Sequence, residues 1–166
     1  GTAVFTSVTA SHAIRFTTSS SIPSGGHIII TFPGAGNNSA SPSATTFAFN
    51  GLTSANASTY IQTNNATTCT FTITAPTIDC VTNSSITGGT TITFLIGCTT
   101  QSAGVCTAYS PRLINPTKTA AAGTADTWKV TISTTDTTGN GGTLFDTSKA
   151  IIGTVEAVQV QATVEP

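Results

Sequence analysis

Charge is what this chain lacks most. Five basic and six acidic residues stand among 166, leaving a net charge of −1, where an ordinary soluble domain has roughly a quarter of its residues charged. So few cations give no basic face to neutralise phosphates, which excludes nucleic acid and anionic membrane surfaces as partners. The like-charge repulsion that keeps free monomers apart is equally weak. Methionine is absent and Trp128 is the single tryptophan. No apolar run approaches the roughly 18 residues that a membrane-spanning helix needs, so no membrane span is expected. The chain begins Gly1-Thr2-Ala3, neither a methionine nor a signal peptide, and reads as processed or excised.

Catalytic signatures are missing too. There is no G-x-S-x-G elbow, no H-E-x-x-H helix, no phosphate-cradling or dinucleotide glycine motif. The acids are Asp79, Asp126, Asp136, Asp146, Glu156 and Glu165; a glycosidase would need two of them to converge across a cleft, and no aromatic-rich surroundings support that. His12 and His27 read as surface or packing residues of strands. Asp136-Thr137-Thr138-Gly139-Asn140-Gly141 has a superficial likeness to a calcium loop, but its third position is Thr and no bidentate Glu closes it, so it reads as a Gly-rich turn. The expectation is a protein that is not an enzyme, with no cofactor and no metal.

What fills the chain instead is 38 Thr and 17 Ser. Threonine is β-branched and suits a pleated, half-buried surface. Apolar and small polar residues alternate along much of the sequence, and no helical stripe appears. The pattern predicts strands over Ala3–Val8, Ala13–Thr17, His27–Phe32, Thr46–Phe49, Cys69–Thr74, Thr77–Val81, Thr90–Leu95, Thr127–Ser133 and Val155–Val164, punctuated by Gly, Pro, Asn and Ser. About nine strands so spaced predict an all-β, antiparallel β-sandwich. Ile28-Ile29-Ile30 is unbroken and predicts a central strand covered on both faces. A Gly-Gly turn feeding an Ile-rich strand that ends in Thr-Phe occurs twice, at Gly25–Phe32 and Gly88–Phe94, as expected of two equivalent strands in facing sheets. The Thr-x-Thr triplets at Thr70–Thr74 and Thr91–Thr93 read as outward faces of strands.

Cys69, Cys80, Cys98 and Cys106 allow three pairings. Their spacing lacks the tight pairs of a zinc site and both histidines are far away in sequence, so two disulfides and an oxidising compartment are expected. The favoured pairing is Cys69 with Cys80, across Ala75-Pro76, and Cys98 with Cys106, around Gln101–Gly104. N-x-[ST] sequons at Asn37, Asn56, Asn65 and Asn83 are glycosylation candidates, although nine Asn in so Ser/Thr-rich a chain give about three such triplets by chance.

Residues 1–11 form an uncharged, β-competent arm with Val4, Phe5, Thr6 and Val8, and with none of the Pro, Lys or Glu that usually protects an edge strand. It either pairs inside its own domain or adds a strand to a neighbour. The polar Ser11-His12 pair is a candidate hinge before a single domain over residues 12–166, and residues from about Thr2 to Thr9 are the candidate donor strand. The run Ile22-Pro23-Ser24-Gly25-Gly26-His27-Ile28-Ile29-Ile30-Thr31-Phe32-Pro33 resembles a segment of secreted β-sandwich modules of microbial surface proteins. With the Thr/Ser/Gly/Ala-rich composition, low charge and apolar arm, the chain resembles donor-strand-complemented pilins. That resemblance implies an immunoglobulin-like or pilin-like sandwich that is incomplete and is completed by a strand from another subunit. It further implies an extracellular, cell-surface filament whose partners are copies of the same chain. Four mid-chain cysteines and the ending Val164-Glu165-Pro166 depart from the chaperone-usher branch of that class. The rival reading is a carbohydrate-binding or adhesin module of a larger surface protein, for which Tyr60, Tyr109 and Trp128 are the stacking candidates.

Overall fold

The computed structural model describes residues 9–33, 47–64, 68–117, 121, 123–124 and 126–154. Predicted strands Ala3–Val8 and Val155–Val164, and the sequons at Asn37 and Asn65, lie outside these residues. Two antiparallel layers carry the fold. The larger has five strands in the order β13 (Leu144–Thr154), β12 (Asp126–Thr135), β3 (His27–Thr31), β7 (Thr77–Thr82), β6 (Cys69–Thr74); the smaller has three, β2 (His12–Thr17), β8 (Thr91–Ile96), β5 (Ile61–Thr63). A second three-stranded piece, β1 (Thr9–Ala10), β11 (Leu113–Ile114) and β4 (Ala48–Phe49), and the hairpin β9 (Cys98–Ser102) with β10 (Val105–Tyr109) complete the described strands. One short helix, α1 (Ala57–Tyr60), leads into β5.

The alternation seen in sequence is the alternation of burial. Along β7, Ile78, Cys80 and Thr82 are buried and Thr77, Asp79 and Val81 are not; along β6, Thr70, Thr72 and Thr74 are exposed. The core joins Ile28, Ile30, Ile78, Val130 and Ile132 of the five-stranded layer to Ile14, Ile92, Phe94 and Ile96 of the other. At roughly 1.5–3 kcal/mol for each large apolar side chain buried, this cluster is the main stabilising term. Phe71 of β6 meets Phe94 of β8 edge-on across the layers, with centroids 6.4 Å apart. β3 is central, as its isoleucines predict, but it is covered on one face only. Ile28 and Ile30 are fully buried, while Ile29 is half-buried on the outer face between Asp79 and Ser133. A strand of a one-faced layer tolerates that third isoleucine because its polar neighbours leave it only partly wet.

Both disulfides join neighbouring strands of hairpins. Cys69 pairs with Cys80 between β6 and β7, and Cys98 with Cys106 between β9 and β10. The first hairpin turns at the cis Ala75-Pro76 bond, the second at Ala103 and Gly104, both with positive φ. The Gly-rich segment after β12 is a turn: the Asp136 carboxylate accepts N–H bonds from Thr138 and Thr143, at 2.8 and 2.9 Å, and hands the chain back into β13.

A pseudo-two-fold relation runs through the centre of the sandwich. β2, its loop and β3 are matched by β7, its loop and β8, at one constant interval along the chain. Thr18 and Thr82 are equivalent: each is buried, and each sends its hydroxyl to two loop carbonyls, Thr18 to those of Thr87 and Thr90, Thr82 to those of Pro23 and Gly26. Ile22 and Ile86 face each other in the two loops and exchange both backbone hydrogen bonds at 2.8 Å. Gly25 and Gly89, with φ of +78° and +85°, make the same turn, at a position where a Cβ would be strained. Each arch crosses between layers, so β2 pairs with β8 and β7 with β3; Phe16 opposite Ile92 matches Cys80 opposite Ile28. The sequence repeat is therefore real and places equivalent strands in facing layers. Its register is Gly25 with Gly89, not Gly25 with Gly88 as the Gly-Gly alignment has it. The match reaches back through the loops to Ile14 and Ile78.

Candidate functional site

The related halves differ in what flanks them. In the larger layer, the unit β7–β3–β12 corresponds to β2–β8–β5 in the smaller, since β12 pairs antiparallel with β3 as β5 does with β8. β7 is covered on its far edge by β6 over six residue pairs. The equivalent edge of β2 has no strand among the described residues. Thr18 N–H bonds the carbonyl of Thr90, on the β8 side. Strand alternation then turns the backbone groups of Thr17, Arg15 and Ala13 to the open edge.

Apolar surface is incompletely covered along that flank. Phe16 of β2 and Ala150 and Ile152 of β13 pack against the core yet remain half-buried. The flank is closed at one end by Asp146 of β13, whose carboxylate receives the N–H groups of Ser19 and Ser20, at 3.1 and 3.0 Å, and the Ser19 hydroxyl. These bonds favour the ionised form and hold the Asp146 carboxyl below its ordinary value of 3.8. At the other end β1 pairs with β11, Thr9 opposite Ile114 and Ala10 opposite Leu113.

The described part of the N-terminal arm is thus already engaged. Thr9 belongs to its own domain, so a donor segment ends at Val8 rather than at Thr9. Ser11 is no loose hinge: its hydroxyl donates to the Gly97 carbonyl at 2.9 Å, and at Gly97 a Cβ would come within 2.6 Å of that hydroxyl. Val4, Phe5, Thr6 and Val8 lie outside the described residues.

A second feature sits on the outer face of the smaller layer. The disulfide-closed hairpin β9–β10 stands against β2 and β8 and borders a half-open pocket of about 360 Å³ lined by His12, Ala13, Leu95, Val105 and Tyr109 among others. Val105 and Tyr109 are each 64% exposed at its rim. The His12 ring is edge-on to Phe47, its Nδ1 is buried without a partner, and burial lowers its pKa, so it packs as a neutral imidazole. His27 instead sits against both oxygens of Asp79 at 2.9 Å, and at Gly139 a Cβ would meet its ring within 3 Å.

The remaining sequence candidates separate cleanly. The Tyr60 ring is covered by the Arg112 guanidinium at 3.5 Å, and Trp128 is half-buried edge-on to Phe47, so of the three aromatics only Tyr109 is presented for stacking. The Asn56 amide accepts the Thr53 N–H and donates to the Gly51 carbonyl, both at 2.9 Å, fixing the loop before α1. Asn83 is exposed, and its amide oxygen accepts the Thr70 hydroxyl at 3.2 Å. Among the described residues no group of three or more His, Cys, Asp or Glu is placed to hold a metal, and no helix is long and apolar enough to cross a membrane. Sequence reasoning missed the open edge of β2; the signal that carries it, the Thr18/Thr82 and Ile22/Ile86 equivalence, was present. No protein-family model, curated protein or solved structure matches the chain.

Proposed function

We propose that the chain is the structural subunit of an extracellular, pilus-like filament, polymerised by donor-strand complementation through its N-terminal strand. The observation that supports this reading is the unequal pair of layers among the described residues, five strands against three, with a β2 edge that no described strand flanks beside half-buried core residues. A strand edge without a partner is a template for strand addition, and a chain with eleven formal charges does little to repel its own copies. Two disulfides fit the oxidising compartment in which such a filament lives. Its partners are copies of itself, and of the two described sequons Asn83 is the one offered to a glycan.

Deleting residues 1–8 tests it. The truncated chain should form no filaments by electron microscopy and should run as a monomer. A synthetic peptide of residues 1–9 should raise its melting temperature by several degrees. Filaments from the truncated chain would overturn the reading. The exposed Tyr109 at the rim of the hairpin pocket favours one alternative, a carbohydrate-binding module. Glycan-array binding that is lost in Tyr109→Ala would establish that alternative.

A further inference from the structure

The pseudo-two-fold relation says more than that a strand is missing. It specifies where the strand goes, which way it runs and in what register. On the closed side, β6 runs antiparallel to β7 with Cys69 opposite Thr82, Phe71 opposite Cys80 and Ile73 opposite Ile78. The equivalents of Thr82, Cys80 and Ile78 on the open side are Thr18, Phe16 and Ile14. A strand filling the open edge in the same way runs antiparallel to β2. It presents three alternate residues inward, the first opposite Thr18 and the last opposite Ile14.

The N-terminal arm carries such a triplet. Val4, Thr6 and Val8 share one face of an extended strand. Antiparallel to β2, Val4 falls opposite Thr18, Thr6 opposite the bulky Phe16, and Val8 opposite Ile14. Phe5 and Ser7 then fall opposite Thr17 and Arg15, residues that turn their backbone groups outward, so the ladder and the apolar face are satisfied together. In this register Ala3 falls opposite Ser19, at the loop that Asp146 holds.

In this register the arm does not reach the edge of its own chain. Pairing Ser7 with its own Arg15 would need a hairpin turning at Ser11. Thr9 and Ala10 are already laddered to Ile114 and Leu113, and Ser11 is bonded to Gly97. We infer that the open edge of β2 is the acceptor site for residues 3–8 of a second copy of this chain, bound antiparallel with Val4, Thr6 and Val8 opposite Thr18, Phe16 and Ile14. This rests on the proposed function and assigns its geometry.

Mixed-chain crosslinking tests it. Ser7→Cys subunits are assembled with Arg15→Cys subunits and treated with a short thiol-reactive crosslinker; parallel mixtures replace Arg15→Cys by Thr72→Cys on β6 or Lys149→Cys on β13. The expected result is a crosslinked dimer with Arg15→Cys at ten or more times the yield of either alternative. It should vanish in a mixture with Ala13→Cys in place of Arg15→Cys, which lies one repeat out of register. A dimer formed preferentially through Thr72, Lys149 or Ala13 would overturn the assigned edge or register while leaving arm-mediated assembly intact. No intermolecular crosslink in any mixture, with filaments still forming when residues 1–8 are deleted, would overturn the proposed function itself. A crosslink from Arg15→Cys to Gln161→Cys of the same chain would show the edge filled by the C-terminal segment and overturn the inference.

Discussion

The two flanks of the sandwich begin from nearly the same strand unit and end differently. On one, β6 is laddered to β7 along its whole length and stapled there by Cys69–Cys80, and its Ile73 N–H is further taken by the Ser54 hydroxyl. On the other, β2 meets no described strand at its outer edge, and the Asp146 carboxylate of β13 reaches across to Ser19 and Ser20. One flank is covered by the other strand of its hairpin; the other has no covering strand among the described residues. The two equivalent arches thus border one edge sealed by β6 and its disulfide and one edge that no described strand covers.

The comparison is sharpest in the arches, because equivalent residues should fail equally. Ile28→Ala and Ile92→Ala each empty a fully buried site and should each cost about 2–5 kcal/mol in urea unfolding; costs differing severalfold would break the equivalence. Next comes the staple. Cys69→Ala with Cys80→Ala opens the sealed flank and should cost about 2–3 kcal/mol. In the donor-strand reading it should leave filament formation unchanged, since the receptive flank is untouched; electron microscopy of the double variant checks that. Thr18→Val and Thr82→Val each remove one hydroxyl serving two carbonyls, and about 1–2 kcal/mol from each is expected by the same unfolding measurement.

The smallest effect is electrostatic and belongs to the open flank. The folded-state pKa of Asp146 is lowered by its Ser19 and Ser20 partners. Its contribution is therefore present above the ordinary carboxylate value and lost as the pH falls through the lowered folded value. Asp146→Asn should be less stable than the parent at neutral pH, with the gap narrowing as the pH falls through the ordinary carboxylate value of about 4 and gone below the lowered folded value. A gap that persists in acid would mean that the clamp acts through shape rather than charge.

Much of this was legible in the sequence, and the gaps have causes. Cys69–Thr74 and Thr77–Thr82 could be read almost to the residue, because alternation, the Ala75-Pro76 turn and two cysteines agree there. β13 was not read: Leu144-Phe145-Asp146-Thr147-Ser148-Lys149-Ala150-Ile151-Ile152 does not alternate, since a half-covered strand at a layer's edge is under little pressure to keep one face dry. β1, β4 and β11 are two-residue strands, too short for any periodicity. The open edge escaped notice for another reason. It is a property of the order of strands in a layer, which local pattern does not encode, and only the longer repeat, with Thr18 matched to Thr82, points to it.

In the donor-strand reading, the pinning of Thr9 and Ala10 by β11 has a consequence for growth. A tail that enters the edge of another copy makes a heterologous joint, and where the rotation between copies does not close a ring, copies joined this way form an open, directional series. Such a series has two unlike ends. At one, an arm is left with nothing to enter; at the other, a β2 edge stays vacant with Phe16 beside it. Initiation, termination and any anchoring to a cell would each have to act on one of those two ends and not the other.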